Sequence, residues 1–361
     1  MHQLDDDLPA AVDRTLRDYL RRTGAPPISA EPSFEGVVDA LTGFVLGGGK
    51  RLRPTFAWWG WRGAGGDPDQ AETDRVLQAV SSLELIQACA LVHDDLMDSS
   101  DTRRGSPTVH VEFTRQHRER GWLGAPEQFG LAAAVLIGDI ALAWADDMFY
   151  TCGLPAPRVS AAAVPWQAMR SEMLAGQYLD VLTQARGEES VDAALRIDRL
   201  KTAAYTVERP LHIGAALAGA DDELIKSLRV FGADVGVAFQ LRDDLLGVFG
   251  DPAVTGKPAG DDLREGKRTV LLAHGLSYAA EHGRHADAER LRSFIGRPAL
   301  DDADVRQARE LLVDLGAVAE VERRIATLTD SALAALGAAR LAGPAADRLE
   351  RLAMAATRRD S

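Results

Sequence analysis

Residues 83–98 read LELIQACALVHDDLMD, an apolar run that ends in three aspartates. An α-helix brings positions four apart onto one face, so Asp94 and Asp98 are neighbours one turn apart, with Asp95 beside them. Three carboxylates at a helix C-terminus repel one another, and the helix dipole adds to the cost. A cation relieves both. One or two carboxylates that leave room for phosphate oxygens and water suit Mg2+. Ala90 lies one turn below Asp94 and Gln87 about two turns below, with Cys89 flanking Ala90, so the side chains under the acidic end are small. Simple helix packing against small residues explains this as well as a cavity for an apolar chain does. A DDxxD pattern alone is as often a solvated helix end as a metal site. The apolar ALV directly before it shifts the balance toward an element seated in a core.

Clustered cations answer these carboxylates. GGGKRLRP at 47–54 places Lys50, Arg51 and Arg53 after three glycines, which let a backbone approach an anion closely. The GxxxxGK[ST] spacing of a Walker loop is absent. DTRRG at 101–105 supplies Arg103 and Arg104, and arginine forks grip phosphate in bidentate fashion. A second acidic helix follows the same logic. FQLRDDLLG at 239–247 supplies Gln240, Asp243 and Asp244, and GKPAGDDLREGKRT at 256–269 adds Lys257, Lys267 and Arg268. Lys201-Thr202 is a further candidate. Each basic group alone is more often a solvated loop or a surface salt bridge of small worth. Beside two acidic helix ends they make a consistent diphosphate site.

Composition sets the outer limits. The 361 residues carry a net charge of −13 and a hydrophobic fraction of 46%. With no basic stripe, nucleic acid is an unfavoured partner. No linker divides the chain, so a single domain over 1–361 is expected, with its core at about 34–357. Alanine and leucine abound and β-branched alternation is scarce, which predicts an all-α protein. The expected helices are 8–23, 34–46, 71–98, 129–151, 157–184, 191–203, 206–218, 221–249, 267–281, 286–295, 302–315, 318–336 and 345–357. The stop signals include Gly24-Ala25-Pro26-Pro27. Cys89 and Cys152 form no CxxC pair, which fits a reducing, cytoplasmic setting. The opening MHQLDDDLPA does not read as a signal peptide. Absence of an eighteen-residue apolar run predicts no transmembrane segment.

These motifs together resemble the trans-isoprenyl diphosphate synthases, or polyprenyl synthetases, in the style of actinobacterial geranylgeranyl diphosphate synthases. The motifs run from Gly47 to Arg268, and the helical pattern continues to near Thr357. The resemblance implies an isoprenoid-synthase helical bundle around a deep central cavity, usually a homodimer. It implies Mg2+-dependent head-to-tail (1′-4) condensation of isopentenyl diphosphate with dimethylallyl, geranyl or farnesyl diphosphate. Asp94 and Asp98 would hold two magnesium ions with Asp95 supporting, and Asp243, assisted by Asp244, a third. Arg103, Lys201, Lys257 and Lys267 would grip the allylic diphosphate. Lys50, Arg53, Gln87 and Arg104 would bind isopentenyl diphosphate, with Arg51 as a helper. Thr202 and Gln240 would present dipoles to the allylic cation. Cys89 and Ala90, with Ile86 a turn deeper, would form the floor that sets chain length, and their small size implies a C20 product ahead of longer or farnesyl products.

Two positions depart from the family pattern. Gln87 stands where many members have histidine, and Gly247 stands where the second motif often has a third aspartate. The reading further requires that the two aspartate-bearing helix tips face each other across the cavity. Two rival readings are a class I terpene cyclase and a non-catalytic partner subunit. The first needs an Asn/Ser/Glu metal triad and leaves Lys50, Arg53 and Arg104 idle. The second loses acidic motif residues, all of which stand here.

Overall fold

The computed structural model describes residues 2–251, 260–297 and 299–357. Among the described residues it is helical throughout, apart from one two-residue hairpin in which Thr102–Arg103 pairs antiparallel with Ser106–Pro107. The all-α expectation holds. Lys257 lies outside the described residues.

The chain forms two compact units. One comprises Met1–Val164, Pro210–Ala220 and Ala342–Pro344, and the other Pro165–Arg209, Asp221–Leu341 and Ala345–Ser361. In the first unit the helix Leu8–Ala30 runs through Pro26 and Pro27 instead of stopping at Gly24. Gly24 is there for contact: a side-chain carbon on it would lie 2.6 Å from a methyl of Val38, on the neighbouring helix Glu35–Leu46. The unexpected helix Leu52–Gly63 carries Trp58, Trp59 and Trp61, all buried. It crosses Arg209–Ala218 backbone to backbone. A carbon on Gly60 would come 2.3 Å from the Leu211 carbonyl, and one on Gly214 would come 1.8 Å from that of Ala57. A second unexpected helix, Val109–Arg120, ends at Gly121 in the left-handed conformation.

In the second unit an apolar cluster from Leu241 and Leu245 through Leu263, Leu271, Leu291 and Leu312 fills the interior. The expected break between 203 and 206 is absent. Residues Asp198–Glu208 form a π-helix instead, joining Val191–Ile197 to Arg209–Ala218 without a loop. The cause is Pro210, which donates no hydrogen bond and whose ring would collide with the Thr206 carbonyl of a regular turn; the wider π-turn removes that collision.

Two stretches meet the length and composition of a membrane span, although neither is an unbroken apolar run. Thr73–Met97, two helices joined at Ser82, is 72% buried over its apolar window, as a core element is. Pro126–Tyr150 is 39% buried and keeps an apolar face outward.

Candidate active site

The first acidic helix, Leu83–Met97, is buried on most of its circumference. Gln87, Ala90, Leu91, Asp94 and Asp98 form one partly accessible stripe, while His93, Leu96 and the exposed Met97 open the end of the helix on other sides. Ala90 therefore lies on the stripe below Asp94. Ile86 is fully buried, and Cys89 is 1% exposed with its sulfur 3.8 Å from His93 Nδ1, so both stand behind it. Burial pushes the Cys89 thiol up to about 12, with Asp139 adding to the effect. His93 is a packing residue: its Nε2 lies 3.2 Å from the Val135 carbonyl, and a carbon on Gly138 would meet it at 2.1 Å.

Asp98 closes the helix, its N–H donating to the Asp94 carbonyl at 2.8 Å. Asp95 points inward and is 1% exposed. Arg103 clamps it, Nε to Oδ1 at 2.7 Å and Nη2 to Oδ1 at 2.6 Å, and lies 3.7 Å from Asp94. Burial pushes the Asp95 carboxyl up, and Arg103 opposes that shift. Arg103 thus bridges the acidic end to the hairpin. At the hairpin tip Arg104 and Gly105 both have positive φ, 53° and 76°, as a two-residue turn of this hand needs. The turn sends Arg104 Nη1 to the Gly48 carbonyl at 2.6 Å.

The glycine-rich loop receives it. Gly48 and Gly49 have φ of 107° and 126°, backbone that side chains rarely adopt. A carbon on Gly49 would lie 3.3 Å from Arg104 Nη2 and 3.6 Å from Arg51 Nη1, so its bareness lets two guanidiniums approach. Burial lowers the Arg104 pKa, and the charges of Arg103, Arg51 and Arg53 lower it further. An anion placed there relieves that repulsion. Arg51 differs from its neighbours. It is 4% exposed, and its guanidinium donates to Asp13 at 2.7 Å, Glu84 at 2.6 Å and the Val45 carbonyl at 2.8 Å. That corrects its expected role: Arg51 is a strut of the loop, whereas its neighbours Lys50 and Arg53 are exposed and half-buried.

In the second unit the acidic helix is Asp222–Phe249. Asp243 is partly accessible, whereas Asp244 is 3% exposed. Gln240 Nε2 donates to Asp244 Oδ1 at 2.7 Å, while Asp244 Oδ2 has no hydrogen-bond partner. Burial pushes the Asp244 carboxyl up, and the charge of Asp262 adds to it. Lys267 lies 2.6 Å from Glu265 and 3.8 Å from Asp262. Lys201 and Thr202 sit on the π-helix. Gly176 and Gly236 pinch it, since added carbons would lie 2.4 Å from the Lys201 nitrogen and 2.5 Å from the Ala203 α-carbon. Lys201 Nζ donates to Asp180 Oδ2 at 2.6 Å. Asp198 is buried three residues before Lys201, and burial beside Asp244 and Asp180 pushes it well up.

Sequence reasoning missed Glu84, Asp180, Asp198 and Asp262. The nearest signal was the second aspartate of GDDLREGKR, a stretch that the sequence singles out for its cations.

The donor set fits magnesium. Among the described residues no three His, Cys, Asp or Glu side chains converge to enclose an ion by themselves. A hard cation that takes one or two carboxylates and completes its shell with phosphate oxygens and water needs no such cage. The orphaned buried oxygen of Asp244 marks a place where positive charge is wanted.

The polyprenyl synthetase family model matches residues 35–312. The crystal structure of geranylgeranyl pyrophosphate synthase from Corynebacterium glutamicum, complexed with isoprenyl diphosphate and magnesium, is 44% identical. It superposes with a TM-score of 0.94 over 99% of this chain and 100% of that one. A geranylfarnesyl diphosphate synthase of Aeropyrum pernix is 34% identical over 293 residues, 79% of this chain and 83% of that protein. A geranylgeranyl diphosphate synthase of Mycobacterium tuberculosis is 31% identical over 343 residues, 91% of this chain and 90% of that protein.

Proposed function

The chain belongs to the polyprenyl synthetase family and is a prenyltransferase that makes trans-prenyl diphosphates, and from that premise we propose that it joins isopentenyl diphosphate to an allylic diphosphate and releases geranylgeranyl diphosphate (C20). The observation that carries the reading is the partly accessible stripe of the first acidic helix, with Asp94 and Asp98 at its end and Ala90 one turn below, while Ile86, Cys89, Val92 and Asp95 are buried behind it. The whole chain acts as one synthase domain, in the cytoplasm, as a homodimer. An outward apolar face on Pro126–Tyr150, with Phe129, Leu131, Val135 and Leu136 exposed, supports the dimer.

Asp94 and Asp98, with Asp95 behind them, and Asp243 with Asp244 would hold magnesium, in three ions. Bound magnesium neutralises charge that develops on a departing diphosphate. Arg103, Lys201, Lys257 and Lys267 bind the allylic diphosphate, and the pinched π-helix gives Lys201 a fixed reach. The allylic C1–O bond breaks and its electron pair leaves with the diphosphate. Gln240 has its amide nitrogen committed to Asp244, which leaves its carbonyl oxygen, with the Thr202 hydroxyl, as the dipole offered to the carbocation. Lys50, Arg53, Gln87 and Arg104 orient isopentenyl diphosphate, whose double bond attacks C1. The new cation loses a proton, and the released diphosphate accepts it. Apolar helix faces exclude the water that would quench the cation. Ala90 leaves the first turn below the diphosphate open to a growing chain, with Cys89 and Ile86 behind it.

The test is incubation with Mg2+, radiolabelled isopentenyl diphosphate and each allylic primer in turn, with chromatography of the products. Label entering a C20 diphosphate only when Mg2+ is present is the expected result. A chain that elongates no primer overturns the activity. Ala90→Phe with Cys89→Phe shortens the product; unchanged product length removes the floor.

A further inference from the structure

The π-helix Asp198–Glu208 carries Lys201 and Thr202, and one side-chain pair spans it. Arg199 Nη2 donates to Glu208 Oε2 at 3.3 Å, across nine positions. In an α-helix of 3.6 residues per turn, nine positions make about two and a half turns and end on opposite faces. A π-turn, closed from i to i+5, holds almost one residue more, so nine positions make about two turns and end on one face. The Arg209 N–H donates to the Ala204 carbonyl, which is a bond of that kind. The Arg199–Glu208 pair therefore belongs to the π register and is broken in the α register.

Glu208 is a fixed point for this pair. Its side chain is 3% exposed, and its other oxygen, Oε1, accepts from Arg229 Nε at 3.0 Å on the helix Asp222–Phe249. The next residue, Arg209, donates to both oxygens of Glu172, at 2.8 and 2.5 Å, on the helix Ala156–Arg186. The far end of the π-helix is thus tied to two neighbouring helices, and Arg199 ties its first turn to that end. Pro210 opens the last turn, but its ring meets only the Thr206 carbonyl. The width carried back to Asp198 needs a second hold, and the Arg199–Glu208 pair supplies it.

Lys201 lies between the ties, seven positions before Glu208. Over that length the two registers differ by about a third of a turn. An α register would swing Lys201 by that amount around the helix axis, away from Asp180, which its ammonium meets at 2.6 Å, and Thr202 would turn with it.

Resting on the proposed function, we propose that Arg199 and Glu208 are positioning residues: they hold the π register and so aim Lys201 and Thr202 at the allylic diphosphate. The clasp serves one substrate, because isopentenyl diphosphate is assigned to Lys50, Arg53, Gln87 and Arg104, none of which lies on the π-helix.

The experiment is steady-state kinetics with radiolabelled isopentenyl diphosphate and the allylic primer that the parent protein elongates best, each varied in turn at saturating Mg2+. Arg199→Gln removes the charge from a side chain that is 52% exposed, so the melting point should change little. The variant is expected to raise KM for the allylic primer about tenfold and to lower kcat about tenfold, as displacement of a positioned group does. KM for isopentenyl diphosphate stays at the parent value. Arg199→Lys keeps the charge and brings both constants back toward the parent. Glu208→Gln shows the same split, and adding Arg199→Gln to it costs little more, because the two residues act as one unit. Should Glu208→Gln fail to fold, the two Arg199 variants decide the matter. An Arg199→Gln protein with parent kinetics overturns the inference. So does one in which both KM values rise together, since general loosening would do that. A parent protein that elongates no primer overturns the proposed function itself, which separates the two failures.

Discussion

Arg51 and Glu84 meet at 2.6 Å with 4% and 3% of their side chains exposed, and Asp13 completes the group from the helix Leu8–Ala30. Burial alone would lower the Arg51 pKa; Glu84 and Asp13 more than reverse that. The arginine also holds a left-handed backbone, with φ of 50°, so its side-chain bonds fix a conformation the residue does not prefer. A buried charge stripped of its partner costs about 3–5 kcal/mol. Glu84→Gln is therefore expected to destabilise the protein by about 3 kcal/mol in urea unfolding, at the low end because Asp13 remains. A loss below about 1 kcal/mol, the worth of a surface pair, would show that water shields the pair. Replacing Arg51 and Glu84 together with apolar residues of similar size should cost much less than Glu84→Gln, since no buried charge is left unpaired and Asp13, 40% exposed, keeps contact with water.

Glycines decide how the elements pack, and their effect depends on what faces them. Gly214 touches the Ala57 carbonyl so closely that an added carbon would sit at 1.8 Å, against backbone that cannot turn aside. Gly43 lies in the helix Glu35–Leu46 with nothing within 4 Å of such a carbon. The same substitution should then act with opposite sign. Gly214→Ala is expected to cost about 3 kcal/mol or more as the helices are forced apart. Gly43→Ala should gain about 0.5–1 kcal/mol from helix propensity. Matched urea unfolding curves measure both, and a tolerated Gly214→Ala would refute the tight crossing. These contacts also show where sequence reading succeeds and fails. The Leu83–Met97 helix was legible because its apolar run and its acidic end both lie within a few turns of chain. Leu52–Gly63 was not: tryptophan and glycine are mediocre helix formers, and the gain comes from a partner about 150 residues away. The π-helix was hidden because Pro210 reads as a break, and only the turn geometry shows how the chain passes through it. Asp180 reaches Lys201 across 21 positions and Asp262 fills a gap at Gly247; no local pattern marks either.

A net charge of −13 makes two copies of the chain repel at long range, so any association between them must rest on apolar contact and be helped by salt. The face of Pro126–Tyr150 has that character. Phe129, Leu131, Val135 and Leu136 are 36–59% exposed on one helix, and isolated surface apolar residues are ordinary whereas a contiguous set marks an interface. Burying such a face releases water in proportion to its area, and added salt weakens the opposing charge without weakening the apolar gain. Light scattering after size exclusion should give twice the monomer mass, with the dimer tightening from low to moderate salt. Leu136→Glu places a charge at the most exposed of the four side chains and should yield monomer at the same concentration. The apolar helices beneath stay packed, so the variant's urea midpoint per chain should fall only through the lost association. If the variant remains a dimer, or if salt dissociates the parent, copies of the chain meet through another surface and through charge.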